Sequence, residues 1–522
     1  MKRMFILLLI SFYCLTLTES TSLSESLPIK HKSNRSATVV FTEWTWIAGN
    51  NLRNQQSNIS YLGSDNYPGS RSGNAYWSDG VRHAWIFGGL GFDDSIDAKI
   101  PKVLNDLWRY DMSTNRWDLL LEERRGWNHE GIDRNLRDLP ASRYNSAACG
   151  KRGDFLVLYG GRTIGDHVLG DTWLYFFSNS SWINLLDIQF APAARSEMAL
   201  WCLDDQMVIF SGVDEHFAFL NDVWVFDFSK LFWREIEVDR GTDDDSRNHR
   251  NPLPRNGAVT WVTNNRTMFM FGGNIEKNLR NQHSSVGFTS DLWSFSLTRR
   301  SWRYLNGFTR PGHVAIYGVL GHGDSDTIPG CRKLSLSWVD LNGDLWLFGG
   351  EGIDYLMPNF YRGDKELSDL WKYDVNREVW VWMGGLTKGE GRATYGNIHT
   401  PSLDNLPGPR LNAATWVRND TFYLFGGDGH DATGEEGQLN DVWVFNCLMQ
   451  DFEAITDIAF VLPFSPGILF VICFSGVACV SLLLCLAVFV KKCLDLPSPG
   501  HSPEKRYVKY APLSMDAAVE LS

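Results

Sequence analysis

The sequence has few cysteines, nine among 522 residues, and they are unevenly placed. Cys14 lies in an apolar segment near the N-terminus, three more lie in a second apolar segment near the C-terminus, and Cys493 follows that segment closely. The remaining four are Cys149, Cys202, Cys331 and Cys447. Four cysteines are too few to build a fold from disulfides, so a hydrophobic core has to hold the protein together.

Basic residues are also in short supply. Lys and Arg total 49 against 61 Asp and Glu, which gives a net charge of -12. This balance argues against a nucleic-acid partner and suits a secreted, soluble ectodomain. The chain is nevertheless 44% hydrophobic and contains 22 Trp. It can therefore bury a large core and is not a disordered chain.

Sequence motifs of catalysis are absent as well. The chain has no Walker loop, no nucleophile motif and no dinucleotide fingerprint. Its twelve His include no His-x-His or His-Glu-x-x-His pair with the spacing of metal ligands. The sequence therefore predicts no metal, no cofactor and no enzyme activity.

Long apolar runs are confined to the two ends of the chain. A basic start followed by an apolar run and small polar residues predicts a secretory signal peptide over residues 1–20. The uncharged stretch from Gly467 to Val490 is long enough for a transmembrane helix. Two lysines follow it, which predicts a type I topology with a cytoplasmic tail over residues 491–522. The alternatives are an uncleaved N-terminal anchor and a buried helix of a soluble protein.

Two kinds of short motif agree with this topology. Five Asn-x-Ser/Thr sequons precede the apolar stretch. They predict N-glycosylation at Asn34, Asn58, Asn179, Asn265 and Asn419. In the tail, Tyr510-Ala-Pro-Leu513 resembles the Tyr-x-x-bulky-apolar sorting signal that clathrin adaptors bind as an extended strand. We predict a sorting signal at Tyr510 and Leu513, with a chance match as the alternative.

A unit repeats six times between Pro68 and Phe445. The units begin at Arg71, Arg143, Arg195, Arg255, Arg332 and Arg410. Six residues later comes a Trp, or Cys149 in the second unit. Sixteen or seventeen residues after the Arg, an apolar run ends in a glycine pair, or in Ser211-Gly in the third unit. The next feature is the segment "NDLWRYD" or a similar sequence. In the first five units, another Trp stands nine residues after the Trp of this segment.

These residues resemble the kelch repeat, with its double glycine, its acidic-apolar-aromatic third strand and its closing Trp. The resemblance covers nearly all of the chain from Trp44 to Phe445. It implies an all-β fold, a six-bladed β-propeller over residues 41–456 with one four-stranded blade per unit. Independently, the runs that end in Gly-Gly are apolar on successive residues, which is typical of strands buried on both faces.

The sixth unit lacks the closing Trp of its siblings. The position nine residues after Trp443 is Phe452, without the usual turn residues before it. The stretch "WTWIAGN" at Trp44 to Asn50 precedes the first unit and resembles "WVWMGG" at Trp380 to Gly385 in the fifth. We predict that this N-terminal strand completes the sixth blade and closes the ring. The alternative is that Phe452 forms its own fourth strand and that Trp44 lies in an extra edge strand.

The repeat also predicts which face of the propeller binds a ligand. If the strands of a blade are labelled a to d from the axis outward, the a–b and c–d turns are short and share one face, the short-turn face. The b–c and d–a connections are long and irregular and share the other, the long-loop face. Variable loops on a rigid scaffold are the usual place for binding. Asn179, Asn265 and Asn419 lie in short turns and leave the long-loop face clear of glycans, and we expect that face to point away from the membrane.

The six Arg that begin the units are the candidate ligand-binding residues. They start strand a on the long-loop side, so they can ring the mouth of the central channel. In kelch domains that bind acidic peptides, arginines in this area contact the ligand, so the resemblance implies an acidic peptide or a sialylated or sulfated glycan. The alternative is a structural role, in which each Arg binds backbone carbonyls or a carboxylate of the next blade.

These features predict a single-pass membrane protein of the cell surface or of endosomes and lysosomes. Its propeller is expected to bind an extracellular protein or glycan ligand for adhesion or cargo capture. The alternative is a membrane-tethered propeller enzyme that acts on glycans, because some kelch-like propellers are copper radical oxidases or sialic acid mutarotases. The oxidases need a Tyr crosslinked to Cys and paired His ligands, which this sequence does not offer.

Two of the central cysteines occupy related positions in neighbouring units. Cys149 and Cys202 are the sixth and seventh residues after their Arg, so their side chains point to opposite sides of equivalent strands. If those two sides face each other across the interface between the blades, both thiols enter it and can form a disulfide. If they face away from each other, the thiols point apart and stay reduced. Cys331 and Cys447 are placed on opposite faces and are predicted not to pair.

Overall fold

The computed structural model describes residues 37–60, 66–95, 100–121, 139–151, 153–185, 190–239, 251–277, 285–353 and 365–452. The predicted signal peptide, the sequon at Asn34, the apolar stretch from Gly467 to Val490 and the tail with Tyr510 and Leu513 lie outside these ranges. Within the ranges, none of the helical segments has the length and apolar character needed to cross a membrane.

The regular secondary structure of the described chain is almost entirely β-strand. The first strand is β1 (Ala37–Ala48). Blade 1 follows with β2 (Arg71–Ser72), β3 (Ala75–Ser78), β4 (His83–Gly91), β5 (Lys102–Asp111) and β6 (Arg116–Leu121). Blade 2 has β7 (Ala147–Lys151), β8 (Phe155–Tyr159), β9 (Thr172–Phe176) and β10 (Ser181–Asn184), with a 3-10 turn at Ile164–Asp166. Blade 3 has β11 (Ala199–Cys202), β12 (Gln206–Phe210), β13 (Val223–Asp227) and β14 (Phe232–Ile236).

The second half of the chain repeats this arrangement. Blade 4 has β15 (Arg255–Asn256), β16 (Val259–Val262), β17 (Met268–Phe271), β18 (Asn274–Lys277), β19 (Ser285–Phe288), β20 (Leu292–Ser296) and β21 (Ser301–Asn306). Blade 5 has β22 (Arg332–Lys333), β23 (Leu336–Val339), β24 (Leu345–Gly352), β25 (Lys365–Asp374) and β26 (Val379–Gly384). Blade 6 has β27 (Arg410–Leu411), β28 (Ala414–Arg418), β29 (Thr421–His430) and β30 (Glu436–Phe452).

The blades are antiparallel sheets whose strands follow one another from the axis outward, as in β7-β8-β9-β10 of blade 2. In blade 4 the strands β15, β18 and β19 form a small additional sheet on the side of the b–c connection. The inner strands β3, β7, β11, β16, β23 and β28 each contact the next, and β28 contacts β3. The six sheets therefore form a closed ring, a six-bladed β-propeller, as the repeat predicted.

The N-terminal strand closes this ring. β1 pairs antiparallel with β30 as the outer strand of blade 6, with Trp44 opposite Phe445 and Ala37 opposite Phe452. Phe452 thus lies at the end of the third strand of its own blade, so the alternative in which it forms a fourth strand is wrong. Trp44 is 3% exposed. Its ring packs against Phe348 of blade 5 as well as Phe445, so the N-terminal strand also joins two blades.

The glycine pairs mark the closest approach between neighbouring blades. Gly272 has a φ of +65°, and a Cβ built on it would lie 2.5 Å from the carbonyl oxygen of Arg332 in the next blade. The amide of Gly273 donates a hydrogen bond of 2.9 Å to that same oxygen. A larger residue would push the blades apart, which explains why the apolar runs end in Gly-Gly.

Blade 3 has Ser211 at the place of the first glycine. Its φ of +59° is one that L-residues rarely adopt. The hydroxyl of Ser211 donates to the Leu220 carbonyl (2.5 Å) and accepts from the Arg255 amide (2.7 Å) of blade 4. In blade 2 the corresponding Arg143 amide bonds the Leu104 carbonyl directly. The hydroxyl of Ser211 therefore bridges two backbone groups that bond each other elsewhere, and this link offsets the strain.

Backbone hydrogen bonds also encircle the axis. The residue two places after each repeat Arg has a positive φ, and its amide donates to the carbonyl of the corresponding residue in a neighbouring blade. These residues are Gly73, Asn145, Glu197, Gly257, Leu334 and Asn412. The Gly73 amide donates to Asn412, and the Asn145 amide donates to Gly73. The bonds form an unbroken circle, so blade 1 and blade 6 are joined at the axis as well as at the outer edge.

Cys149 and Cys202 form a disulfide between blades 2 and 3, with their Cα atoms 5.5 Å apart. Of the two alternatives that the sequence left open, the structure contains the one in which both side chains enter one interface. Cys331 is buried and free.

This disulfide should contribute measurably to stability. It closes a loop with a sequence separation of 53 residues, for which loop-closure entropy predicts roughly 4 kcal/mol. We expect peptide mapping of the non-reduced protein to recover a Cys149–Cys202 peptide. We also expect a Cys149→Ala, Cys202→Ala variant to melt at a lower temperature. Recovery of both thiols as free cysteines would contradict this prediction.

Candidate functional site

The six repeat arginines lie inside the blades, each with 0 or 1% of its surface exposed. Each forms a bidentate ion pair with an Asp that lies in strand c of its own blade or directly before it. The partners are Asp106, Asp171, Asp222, Asp291, Asp369 and Asp441. The ion pairs connect strand a to strand c across strand b.

Arg332 shows how completely these guanidinium groups are used. Its Nε donates to the Gly330 carbonyl (3.0 Å), and its Nη1 donates to the Gly349 carbonyl (3.1 Å). Its Nη1 and Nη2 donate to the two carboxylate oxygens of Asp369, at 2.6 and 2.8 Å. The indole of Trp371 donates to the same carboxylate at 2.7 Å. An arginine held in this way has no free face for a ligand.

The pKa shifts agree with permanent ion pairs. Burial alone would raise the pKa of Asp291, but the charge of Arg255 and its hydrogen bonds outweigh burial, and the pKa is lowered. Burial alone would lower the pKa of Arg332, but the charge and hydrogen bonds of Asp369 raise it. Asp291 and Arg332 are therefore both ionised at neutral pH.

The prediction that these arginines bind a ligand is thus corrected. The buried guanidinium groups of Arg71, Arg143, Arg195, Arg255, Arg332 and Arg410 take the structural role that the sequence left as the alternative. The correction extends to the partner, which is an Asp of the same blade and not of the next one.

The long-loop mouth of the channel is instead surrounded by residues that differ from blade to blade. We call these residues the mouth ring: the residue after each repeat Arg and the residue after each glycine pair, or after Ser211-Gly in blade 3. They pair across strands as Ser72–Leu90, Tyr144–Arg162, Ser196–Val213, Asn256–Asn274, Lys333–Glu351 and Leu411–Asp428. In the mouth ring, blade 2 has the basic Arg162, blade 5 has the opposite charges of Lys333 and Glu351, and blade 6 has the acidic Asp428.

Arg162 is the basic member of the mouth ring on blade 2, and it is 3% exposed. Its guanidinium donates to the Ser196 hydroxyl (3.1 Å) and to the carbonyls of Asp166 (3.1 Å) and Asp214 (3.2 Å). The ring of Phe217 lies over it, with 4.1 Å between the guanidinium carbon and the ring centroid. Arg162 therefore fixes two b–c loops and supports Phe217, which is 63% exposed.

The opposite side of the mouth is acidic. We call Glu351, Glu366, Asp428 and Glu436 the acidic corner; they lie where the b and c strands of blades 5 and 6 extend beyond their glycine pairs. Glu351 pairs with Glu366 across strands. Burial and then the charges of Glu436 and Glu366 raise the pKa of Asp428 to about 6. The hydrogen bond that the His430 imidazole donates to the Glu366 carboxylate is the main cause that raises the pKa of His430.

Below the mouth, a cavity of about 510 Å³ lies between the inner strands of all six blades. At its long-loop end, Glu197 accepts hydrogen bonds from the amides of Asn145 (3.1 Å) and Asn256 (2.6 Å). The amide of Asn412 donates to Asn145 at 2.7 Å. These side chains form a polar belt between the mouth ring and the cavity.

Exposed apolar side chains are concentrated on the long-loop face. Connections on that face expose large hydrophobic residues in the described part of every blade, whereas the short turns expose Val81 and Leu341. Examples on the long-loop face are Ile100, Ile164, Phe217 and Val286. Scattered exposed hydrophobics are ordinary, but their concentration on one face is typical of an interaction surface.

The predicted glycosylation sites that fall in the described ranges are all exposed. Asn58 lies in a connection of the long-loop face, and Asn179, Asn265 and Asn419 lie in short turns. Glycosylation at these positions remains a prediction. In the described part of the chain, no three His, Cys, Asp or Glu side chains come together as a metal site.

The mouth ring was missed by the sequence analysis. The six arginines attracted attention because they repeat, but residues that repeat in every blade serve the scaffold. The residue after each glycine pair changes through Leu90, Arg162, Val213, Asn274, Glu351 and Asp428. That variation next to the most constant part of the unit was the available signal.

Comparison with known proteins agrees with this architecture. A family model described as the KLHDC2/KLHL20/DRC7 Kelch-repeats domain matches residues 123–313. The chain is 24% identical over 332 residues to the Drosophila melanogaster leucine-zipper-like transcriptional regulator 1 homolog. This match covers 62% of the present chain and 27% of that protein. It is 24% identical over 343 residues to Bos taurus Kelch domain-containing protein 2, a match that covers 60% of the present chain and 69% of that protein. It is 22% identical over 404 residues to human Kelch domain-containing protein 1, a match that covers 72% of the present chain and 80% of that protein.

The chain thus spans 27% of the length of the first of these relatives. The match to a kelch-repeat family model over residues 123–313 and the similarity to kelch-named relatives agree with the closed ring of sheets.

Proposed function

We propose that the propeller is a protein-interaction module that binds a polypeptide ligand on its long-loop face. One observation carries the proposal. The charged residues common to all blades, the six Arg–Asp pairs, are buried inside the blades, while the mouth ring on the long-loop face differs from blade to blade. Exposed apolar side chains lie around that same mouth. A constant scaffold with a variable, partly apolar face suits recognition of a specific partner.

The proposal assigns binding and not catalysis to this protein. The earlier preference for an anionic ligand rested on the six arginines, and their burial in ion pairs removes its basis. A polypeptide ligand suits the mouth better, because apolar side chains such as Ile164 and Phe217 lie beside both charged and neutral polar groups.

We further propose that the protein is a single-pass type I membrane protein of the cell surface or of endosomes and lysosomes. The signal peptide and apolar stretch in the sequence support this location, and the exposed sequons agree with it. Cargo capture and adhesion are the roles that follow. A clathrin adaptor that binds Tyr510 and Leu513 is the proposed cytoplasmic partner.

A site-specific photo-crosslinker tests which face binds. We would place benzoyl-phenylalanine at Phe217 on the long-loop face, and at Leu341 in a short turn as the matched control. Both side chains are well exposed, at 63 and 73%. We expect irradiation of cells that express the full chain to give protein adducts from position 217 and none from position 341. Equal adducts from the two positions, or adducts from position 341 alone, would show that the face is assigned wrongly.

A further inference from the structure

The acidic corner has a defined geometry on the long-loop face. In blade 5, β24 and β25 continue past the glycine pair and place Glu351 opposite Glu366. In blade 6, β29 and β30 do the same and place Asp428 opposite Gln438, and His430 opposite Glu436. The imidazole Nε2 of His430 lies 3.3 Å from the Glu366 carboxylate, which links the two blades.

The cations near Asp428 and Glu436 are paired with other carboxylates. Lys333 binds Glu351 at 3.1 Å. Lys365 binds Glu390, and Arg53 binds Glu435. Among the residues that the structure describes, Asp428 has no cationic partner, and the side chain of Glu436 is in no ion pair. A half-buried carboxylate without a countercharge is unfavourable, so a bound cation would stabilise it.

A second, independent feature points to the same ligand chemistry. Gln438 is 6% exposed, and its side-chain oxygen Oε1 has no hydrogen-bond donor among the described residues. Gln438 lies directly opposite Asp428 in the pairing of β29 with β30, so the two side chains are on the same face of the sheet. Buried acceptors are nearly always satisfied, and an unsatisfied one costs about 1–3 kcal/mol. What Asp428 and Gln438 lack is a donor with positive charge.

We propose that the acidic corner binds a Lys ammonium or Arg guanidinium group of the polypeptide ligand at neutral pH and releases it on acidification. This inference rests on the proposed function, because it identifies one subsite of the long-loop face. Asp428 and Glu436 neutralise the cation, and Gln438 Oε1 accepts one of its hydrogen bonds.

The release follows from the groups that titrate at this place. With a pKa of about 6, Asp428 is ionised at pH 7.4 and mostly neutral at pH 5. The hydrogen bond that the His430 imidazole makes to Glu366 raises the pKa of His430, so the imidazole beside this corner takes up its proton at a higher pH than a free histidine does. Acidification therefore removes the negative charge of Asp428 from the corner, and the ligand cation meets less attraction.

A labelled basic peptide tests the proposal on the full-length chain. The probe is a fluorescein-labelled peptide with Lys-Arg-Lys-Arg between Gly and Ser residues, and the control peptide replaces the four basic residues with Gln. Fluorescence polarisation at constant ionic strength gives the Kd at pH 7.4 and 5.0. We expect the basic peptide to bind at least tenfold more tightly at pH 7.4 than at pH 5.0. Equal Kd values at the two pH values would overturn the proposal.

Two variants locate the effect. Asp428→Asn keeps the shape and removes the charge, so it should weaken binding at pH 7.4 several-fold and flatten the pH dependence. Glu215→Gln removes an exposed charge from blade 3 of the same face and should bind as the unaltered protein does. An Asp428→Asn variant that matches the unaltered protein at both pH values would overturn the subsite, even if position 217 still crosslinks a partner. Absence of crosslinking with the pH-dependent peptide binding intact would overturn only the proposed function.

Discussion

Removing Phe41 to Gly49 should abolish the cooperative unfolding transition of the propeller. This segment supplies most of the outer strand of blade 6, where β1 pairs with β30 along its length. Its loss would leave the edge of β30 unpaired and uncover aromatic side chains of blades 5 and 6. An open blade edge also invites pairing with other chains. We therefore expect a broad, low-amplitude melt and aggregation in place of a single transition.

A point substitution separates the packing of this strand from its backbone pairing. Trp44 is buried between Phe348, Phe422 and Phe445, so Trp44→Ala should cost about 3–5 kcal/mol and retain a cooperative transition. As a control, Leu52→Ala removes a side chain that is 42% exposed, just beyond the strand, and should leave the transition nearly unchanged. If the chain without Phe41 to Gly49 melts as the full chain does, the N-terminal strand does not close the ring.

The scaffold could be predicted from the sequence because the same structural requirements recur in every blade. Burial on both faces of strand b appears as an uninterrupted apolar run, and the close approach of the next blade appears as a glycine pair. The orphan strand at Trp44 could be assigned because the sixth unit lacks a partner for Trp443, which lies opposite Trp46 in the structure. In each case one local structural requirement selects one type of residue, which can be recognised in the sequence.

The role of the arginines could not be predicted from position alone. The sequence places Arg332 at the start of an inner strand, but a side chain there can point to the channel or along its own sheet. The decisive residue, Asp369, lies in another strand, and their contact depends on the pairing of both strands with β24. The recurring Asp before the strand c Trp was visible in every unit and indicated a matched partner.

The mouth ring and the acidic corner depend on contacts between blades. His430 and Glu366 meet because the extended strands of blades 5 and 6 reach the same height. Neither residue belongs to a motif, and 64 residues separate them in the chain. Their shared environment, and hence the pKa of Asp428, is a property of the folded ring. A sequence pattern within one unit holds no information about it.

Replacing Arg332 with Met should destabilise the propeller by about 3–5 kcal/mol, because it leaves Asp369 buried without a countercharge. Both side chains of this pair are at most 1% exposed. The control is Arg109→Met, which breaks a pair with Asp118 whose side chains are 37 and 48% exposed. An exposed pair contributes about 0–1 kcal/mol, so this control should melt close to the unaltered protein.

The companion substitution distinguishes an ion pair from a ligand contact. Asp369→Asn should cost a similar amount, since Arg332 would then be the unpaired buried charge. An arginine kept for a ligand would behave differently: its replacement would reduce binding and leave the melting temperature unchanged. Chemical denaturation of the three variants, with the crosslinking yield from position 217 measured on the folded fraction, separates the two cases. A stable Arg332→Met variant that no longer crosslinks would restore this arginine to the binding site.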